Sequence, residues 1–319
     1  MSASTRTRRA LAAPLVCVCL SLAGCSAESD ASTTHTGPVR IGFVNGGTSE
    51  FHTCLQASVE DTAQDNLATA TVANSGGSAA RELANVKSMI AKKVDVIILQ
   101  TVNTSALDAD VDAAWKAGVP IFLTSLTPPE GNGHILGAAV SRLPPIGALD
   151  AGWVNSEVGG RATEVGVISG DGSASSDQMT EGFTEALDSN VHVAAQAEGF
   201  YAEDKAKSAA SAMIQAHPNL DYVFVASEQM GFGVRAALDA AGAQDVGIVT
   251  VNGTDDGLKA LKSGEFAATV SDSAMDLGAL AVTNALGLLR KDDVSKIDYV
   301  PTRLVTKADA DTAPLYCPS

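Results

Sequence analysis

The chain has 319 residues, of which 45% are apolar and 18% charged, enough for two domains of ordinary size and too rich in apolar side chains for a disordered chain. Aromatic residues make up only 4% against 29 glycines, which favours helices packed closely on sheets over an aromatic-rich β-sandwich. The formal charge is −16, and setting aside Arg6, Arg8 and Arg9 leaves 18 basic against 37 acidic residues, a balance that repels nucleic acid and anionic membrane surfaces.

Residues 1–24 have the order of an export signal: a positive start at Arg6, Arg8 and Arg9, the short apolar run "ALAAPLVCVCLSLAG", then small residues. The run is short for a membrane span, and Pro14 interrupts it. The tetrad Leu22-Ala23-Gly24-Cys25 resembles a bacterial lipobox. That resemblance implies cleavage before Cys25, lipidation of its thiol, and an extracytoplasmic protein anchored by lipid to the outer face of the cell membrane. Several acyl chains make such an anchor stable. The alternative is a plain secretory signal. Residues 25–38 then form a polar, flexible tether. Cys17 and Cys19 leave with the signal, so the body keeps Cys54 and Cys317. Outside the membrane these two can pair, or remain two separate buried thiols.

After Pro38 the pattern becomes regular. "VRIGFVN" is a short β-branched apolar run and predicts a strand. Residues 50–66 read as a helix, and "TATVANSG" as a strand ending in turn residues. "SAARELANVKSMIAKK" sets Leu83, Val86 and Ile90 at helical spacing behind Ser78 as a cap. "VDVIILQ" is apolar throughout, as a parallel-sheet strand requires. "TSALDADVDAAWKAG" is a helix closed by Gly118, and "VPIFLTS" is the next strand. The alternation breaks around "SRLPP" (141–145) and restarts. Strands are expected at "EVGVISG", "VHVAAQAEG", "YVFVASE", "VGIVTVNG" and "FAATVSD", with helices near 175–188, 203–216, 230–241 and 256–263 between them. Repeated βα units in two runs predict an α/β fold of two Rossmann-like lobes with parallel sheets. Ligands of such lobes bind beyond the carboxyl ends of the strands. The informative positions are therefore Asn45 to His52, Gln100 to Asn103, Ser125, Gly170 to Ser176, Phe200 and Tyr201, Ser227 and Glu228, Asn252, and Asp272.

Motifs for catalysis or metal binding do not emerge. There is no G-x-S-x-G, H-E-x-x-H or G-x-x-x-x-G-K-[ST], and the five histidines (35, 52, 134, 192, 217) lack metal-ligand spacing. "GDGSASS" (170–176) follows a strand and reads as a loop, with a helix-start anion site as the alternative. Asp255 and Asp256 in "NGTDDG" read as turn and helix-cap residues.

From about Val39 to Thr306 the chain resembles the sugar-binding subunits of bacterial ABC importers, of the type I periplasmic-binding-protein fold and nearest the ribose-binding group. The resemblance is carried by the order of "RELANVKSMIAKKVDVIILQ", "GVPIFLTS", "TEGFTEAL", "AHPNLDYVFVASEQMGFGVRAAL", "VGIVTVNGTDDGLKALKSGEFAATVSDSAMDLGALAV" and "YVPTRLVT". It implies two lobes joined by a hinge of three strands, 39–138 plus 273–301 and 139–272 plus 302–319. They would close on one ligand and present it to ABC permease subunits. It further implies a monomer that is no enzyme and needs neither cofactor nor metal.

The family's cleft positions carry over one by one. An aromatic pair after the first strand falls on Phe51 and His52, and a polar residue just before it on Ser49. An Asp-Arg pair falls on Ser125 and Leu126, and an arginine on Met179. A second-lobe aromatic falls on Tyr201, an Asn-Asp pair on Ser227 and Glu228, an aspartate on Asn252 and a glutamine on Asp272. The charged clamp of the family is thus mostly replaced, while the aromatic positions persist in Phe51 and Tyr201. Desolvated hydroxyls need partners, so this lining favours a small neutral solute, a sugar or sugar-like polyol, over ribose itself. Asp272 and Glu228 are expected to take hydroxyls or a cation. Each position also has an ordinary structural role open to it: Phe51 as core, His52 at a helix start, Met179 as a gap-filler, Asn252 in a turn. The same fold can instead feed a sensor or chemoreceptor. An exported enzyme acting on a glycoside is the alternative of another class, and the repressor relatives of the fold carry a helix-turn-helix where this chain has a lipobox.

Overall fold

The computed structural model describes residues 37–105, 107–126, 133–172 and 174–318. The export signal, Cys25 and nearly all of the tether lie outside the described residues. In chain order the elements are β1 (Arg40–Asn45), α1 (Glu50–Asp65), β2 (Thr69–Asn74), α2 (Ala79–Ala91), β3 (Val96–Leu99), α3 (Leu107–Lys116), β4 (Ile121–Ser125) and β5 (Ile135–Val140). They continue as α4 (Leu143–Val158), β6 (Thr163–Ser169), α5 (Ala174–Glu185), β7 (Val191–Glu198), α6 (Glu203–Ala216), β8 (Tyr222–Val225) and α7 (Glu228–Ala240). The last are β9 (Gly247–Asn252), α8 (Asp255–Ser263), β10 (Ala268–Asp272), α9 (Ala274–Arg290), β11 (Ile297–Tyr299), β12 (Thr302–Thr306) and a 3-10 turn at Ala310–Thr312.

Two six-stranded sheets result, ordered β11-β5-β4-β3-β1-β2 and β12-β10-β9-β8-β6-β7. Among the described residues every strand pairing is parallel except that of β10 with β12. Strands such as β3 (VIIL) are buried along their whole length because helices cover both faces of the sheet. Each sheet has its own core. Phe183, Phe224, Val167 and Ile248 are buried in the second, and Ile41, Phe43, Ile98 and Phe122 in the first.

The chain passes between the sheets at 140–143, 272–274 and 299–302. The first passage accounts for the break at "SRLPP": Pro144 lies in the first turn of α4, where a proline costs no internal hydrogen bond. Gly147 of α4 and Gly182 of α5 let the two helices touch by their backbones, since a Cβ at either would stand 2.1 Å from a carbonyl oxygen, of Met179 and Pro144 respectively. That contact fixes the approach of Met179. "YVPTRLVT" divides at Pro301: Tyr299 ends a strand of the first sheet and Thr302 begins one of the second.

The family resemblance implies that 302–319 belongs to the second lobe. Tyr316 and Cys317 instead pack into the core of the first sheet, and a disulfide joins Cys317 to Cys54 on α1. Among the described residues no helix is long and apolar enough to cross a membrane.

Candidate functional site

A cavity of about 370 Å³ lies where the strand ends of the two sheets face each other. From the first sheet, Ser49, Phe51 and His52 reach it from the start of α1, and Ser125 and Leu126 from the end of β4. From the second come Met179 of α5, Tyr201 after β7, Ser227 before α7 and Asn252 at the end of β9. Asp272 enters from the second passage between the sheets.

Glu228 is the exception among the expected residues. Its side chain is fully buried behind the cavity wall. It accepts from Gly253 N at 2.9 Å, Thr254 N at 2.7 Å, Thr254 Oγ1 at 2.5 Å and Thr269 Oγ1 at 2.7 Å. Burial pushes this carboxyl up and those four bonds pull it back. Ser227 caps α7 by accepting from Met230 N, and successive residues at a helix start point about 100° apart. Ser227 therefore meets the cavity while Glu228 fastens the turn that follows β9. It is a positioning residue for its neighbour: Glu228 N donates to Asn252 Oδ1 at 3.3 Å.

The first-sheet wall is pinned by its own hydrogen bonds. Asn45 Nδ2 donates to the His52 carbonyl at 2.8 Å, and Ser49 Oγ lies 2.8 Å from His52 Nδ1. Burial lowers the His52 imidazole to about 4, so it is neutral at pH 7. So weak a base does little to activate Ser49 as a nucleophile. Gln100 Oε1 accepts from Ser125 Oγ at 3.1 Å and also from Thr124 Oγ1. On the opposite wall Tyr201 crosses Gly170 so closely that a Cβ there would stand 2.3 Å from its ring. Burial first, and Asp171 next, push its phenol up to about 12. Asp272 accepts from Ser141 Oγ at 3.0 Å, and burial raises its carboxyl to about 6. Glu50 is also raised, by burial and then by Asp256 and Asp255.

Three lining residues hold left-handed backbone without being glycine: Ser125 (φ 67°), Tyr201 (φ 50°) and Asn252 (φ 138°). Such conformations cost free energy and gather where side chains must be aimed. Among the described lining residues there is no lysine or arginine, while Glu50, Asp171 and Asp272 are acidic. The arrangement offers hydroxyls, amides and carboxyls together with the rings of Phe51, Tyr201 and Tyr316, and no lysine or arginine for an anionic molecule among the described lining residues. Among the described residues no group of three or more His, Cys, Asp or Glu could hold a metal ion.

Ser141, Gln229 and Tyr316 also line the cavity and were not legible as site residues. Ser141 lies in a passage between the sheets. Gln229 is masked by its position inside α7. Tyr316 is 64 residues beyond Asn252, whose Nδ2 donates to its hydroxyl at 3.2 Å. Its one signal was adjacency to Cys317.

Known proteins share this build. The chain is 28% identical to a ribose import binding protein of Escherichia coli (strain K12) over 240 residues, 74% of this chain and 79% of that one. It is 27% identical to a xylitol-binding protein of Mycolicibacterium smegmatis over 304 residues, 92% and 84% of the two chains. The fold matches that of an ABC transporter solute binding protein from Bacillus halodurans C-125 with bound myo-inositol, with a TM-score of 0.81 at 23% identity, covering 88% of this chain and 98% of that one. The model of the periplasmic binding protein domain matches residues 41–293, and the chain belongs to that family.

Proposed function

We propose that this protein is an extracytoplasmic solute-binding protein that captures a small neutral sugar or polyol between its lobes, releases it unchanged, and delivers it to an ABC permease. The observation that carries the reading is the cavity lining: aromatic rings, Phe51 and Tyr201 among them, share it with hydroxyl, amide and carboxyl groups, with no lysine or arginine among the described lining residues. A polyol presents hydroxyls to such groups and its C–H faces to the rings, so few polar atoms are desolvated without a partner. The relatives named for ribose and xylitol support the same ligand class. The lobes would comprise 39–138 with 273–301 and 139–272 with the segment from 302, moving about the three passages. The lipobox at Cys25 would hold the protein at the outer face of the membrane.

The test is a thermal-shift screen of the full chain against xylitol, D-ribose, D-allose, D-fructose and myo-inositol. A ligand at a hundred times its dissociation constant stabilises by about 2.7 kcal/mol. A shift with at least one of these supports the reading, and no shift with any of them, confirmed by calorimetry, overturns it.

A further inference from the structure

The last residues of the chain do not stay with the sheet that precedes them. Lys262 Nζ of α8 pairs with Asp311 at 2.6 Å, and Arg303 donates to the Thr312 carbonyl at 2.6 Å, so the 3-10 turn is tied to the second lobe. Ala313 still packs on that lobe's core. Three residues later the tail is fixed to the first lobe. Ser273 Oγ donates to the Leu315 carbonyl at 2.6 Å, Met275 N donates to the Tyr316 carbonyl at 3.0 Å, and Cys317 is bonded to Cys54. Tyr316 is 3% exposed in the first lobe's core, yet its hydroxyl accepts from Asn252 of the second lobe and its ring lines the cavity. Among the described residues no acceptor takes the hydroxyl's own proton.

We propose that residues 313–317 are a fourth crossing between the lobes, latched by the Cys54–Cys317 bond, and that this latch supplies Tyr316 as a ligand-contacting residue at the base of the cavity. The three internal passages are continuous chain and cannot be undone. The tail is held to the first lobe by two backbone-directed hydrogen bonds, the packing of one ring, and a disulfide. A short segment held only by the first two would open locally. The bond keeps the ring in place and limits how far the lobes can part. Because Tyr316 bridges to Asn252, loss of the latch disturbs both a first-lobe and a second-lobe contact of the ligand.

The ligand half of this proposal rests on the solute-binding reading, and the experiment separates the two. The full chain, C54S/C317S and Tyr316→Phe are compared by hydrogen exchange, by small-angle scattering without ligand, and by calorimetry with whichever of xylitol, D-ribose, D-allose, D-fructose or myo-inositol binds the unaltered chain. Expected for C54S/C317S are lost protection at the Met275 amide, a larger radius of gyration, and affinity at least tenfold weaker. Tyr316→Phe keeps the bond and the core packing and is expected to lose about fivefold in affinity, with an unchanged radius. Should C54S/C317S fail to fold, Tyr316→Phe decides the ligand contact, and the unaltered chain with its disulfide reduced by dithiothreitol decides the latch by the same exchange and scattering measurements. Unchanged affinity in Tyr316→Phe overturns the contact, and unchanged protection and radius in C54S/C317S overturn the latch. If none of the five compounds binds the unaltered chain, the solute reading fails, and the exchange and scattering results still decide the latch.

Discussion

Ser141 and Asp272 join two of the passages between the lobes: the Ser141 hydroxyl donates to the Asp272 carboxylate at 3.0 Å, inside the cavity. Asp272 therefore lines the cavity from a passage between the two sheets. Burial raises its carboxyl to about 6, with the Ser141 bond pulling the other way. As an acceptor for ligand hydroxyls it works ionised, so affinity for a polyol is expected to weaken as pH falls through about 6. Stability has the opposite sign. A carboxyl raised above its ordinary value near 4 stabilises the fold while protonated, and that contribution is lost as pH rises through about 6. In Asp272→Asn, calorimetry between pH 5 and 8 is expected to give a flat profile and affinity about tenfold weaker.

Glu228 is the anchor of the turn that carries Asn252. Glu228→Ala leaves the amides of Gly253 and Thr254 and the Thr269 hydroxyl without their acceptor in a fully buried place. Denaturant unfolding is expected to show a loss of about 3 kcal/mol. A loss below 1 kcal/mol, roughly the worth of one ordinary hydrogen bond, would contradict the anchoring role.

A second buried acid sets a different pH window. Asp110 of α3 is fully buried, and burial first, then the neighbouring Glu82, push its carboxyl up to about 8. Its stabilising contribution is present below about 4 and is lost as pH rises towards about 8. Glu82 accepts from Thr101 Oγ1 and Val102 N, both at 2.7 Å, and so holds the loop that lines the cavity after β3. Asp110→Asn is expected to flatten the fall of the melting temperature between pH 5 and 8 and to raise it at pH 8.

The lipobox reading of Cys25 is tested in cells. Cys25→Ser is expected to move the protein from the membrane fraction to the soluble extracytoplasmic fraction. An unchanged membrane fraction would contradict lipid anchoring.

Much of the frame was legible because fully buried strands and amphipathic helices leave distinct patterns. Residues 78–93 show apolar positions at helical spacing behind Ser78, which is observed as the cap. At 255–263 the helix was legible but its cap was not: Asp255 and Asp256, expected as turn and cap residues, are the first two helical residues, and Thr254 caps them by accepting from Gly257 N. The α4 and α9 helices left no such mark. The first has Pro144 and Pro145 at its second and third positions, and the second, "AMDLGALAVTNALGLLR", is apolar on most sides because it lies between α1 and the first sheet. The pairing of Cys54 with Cys317 joins positions 263 apart, and no spacing rule reaches that far. Residues following strand ends could be placed near a cleft from topology. The direction of each side chain could not, which is why Ser227 lines the cavity and Glu228 does not. Ser141 follows β5, a strand the sequence pattern did not mark, and Tyr316 follows no strand at all, so only the folded chain brings them in.

The central claim is that the cavity takes a small uncharged polyol between Phe51 and Tyr201. Isothermal titration of the full chain, of Phe51→Ala and of Tyr201→Ala with the five sugars and polyols, and with ribose 5-phosphate as an anionic control, tests it most directly. The expected result is one-to-one binding of at least one neutral compound by the unaltered chain, none of the phosphate, and loss of that heat in both variants. Binding of the phosphate alone, or binding that survives both substitutions, would contradict it.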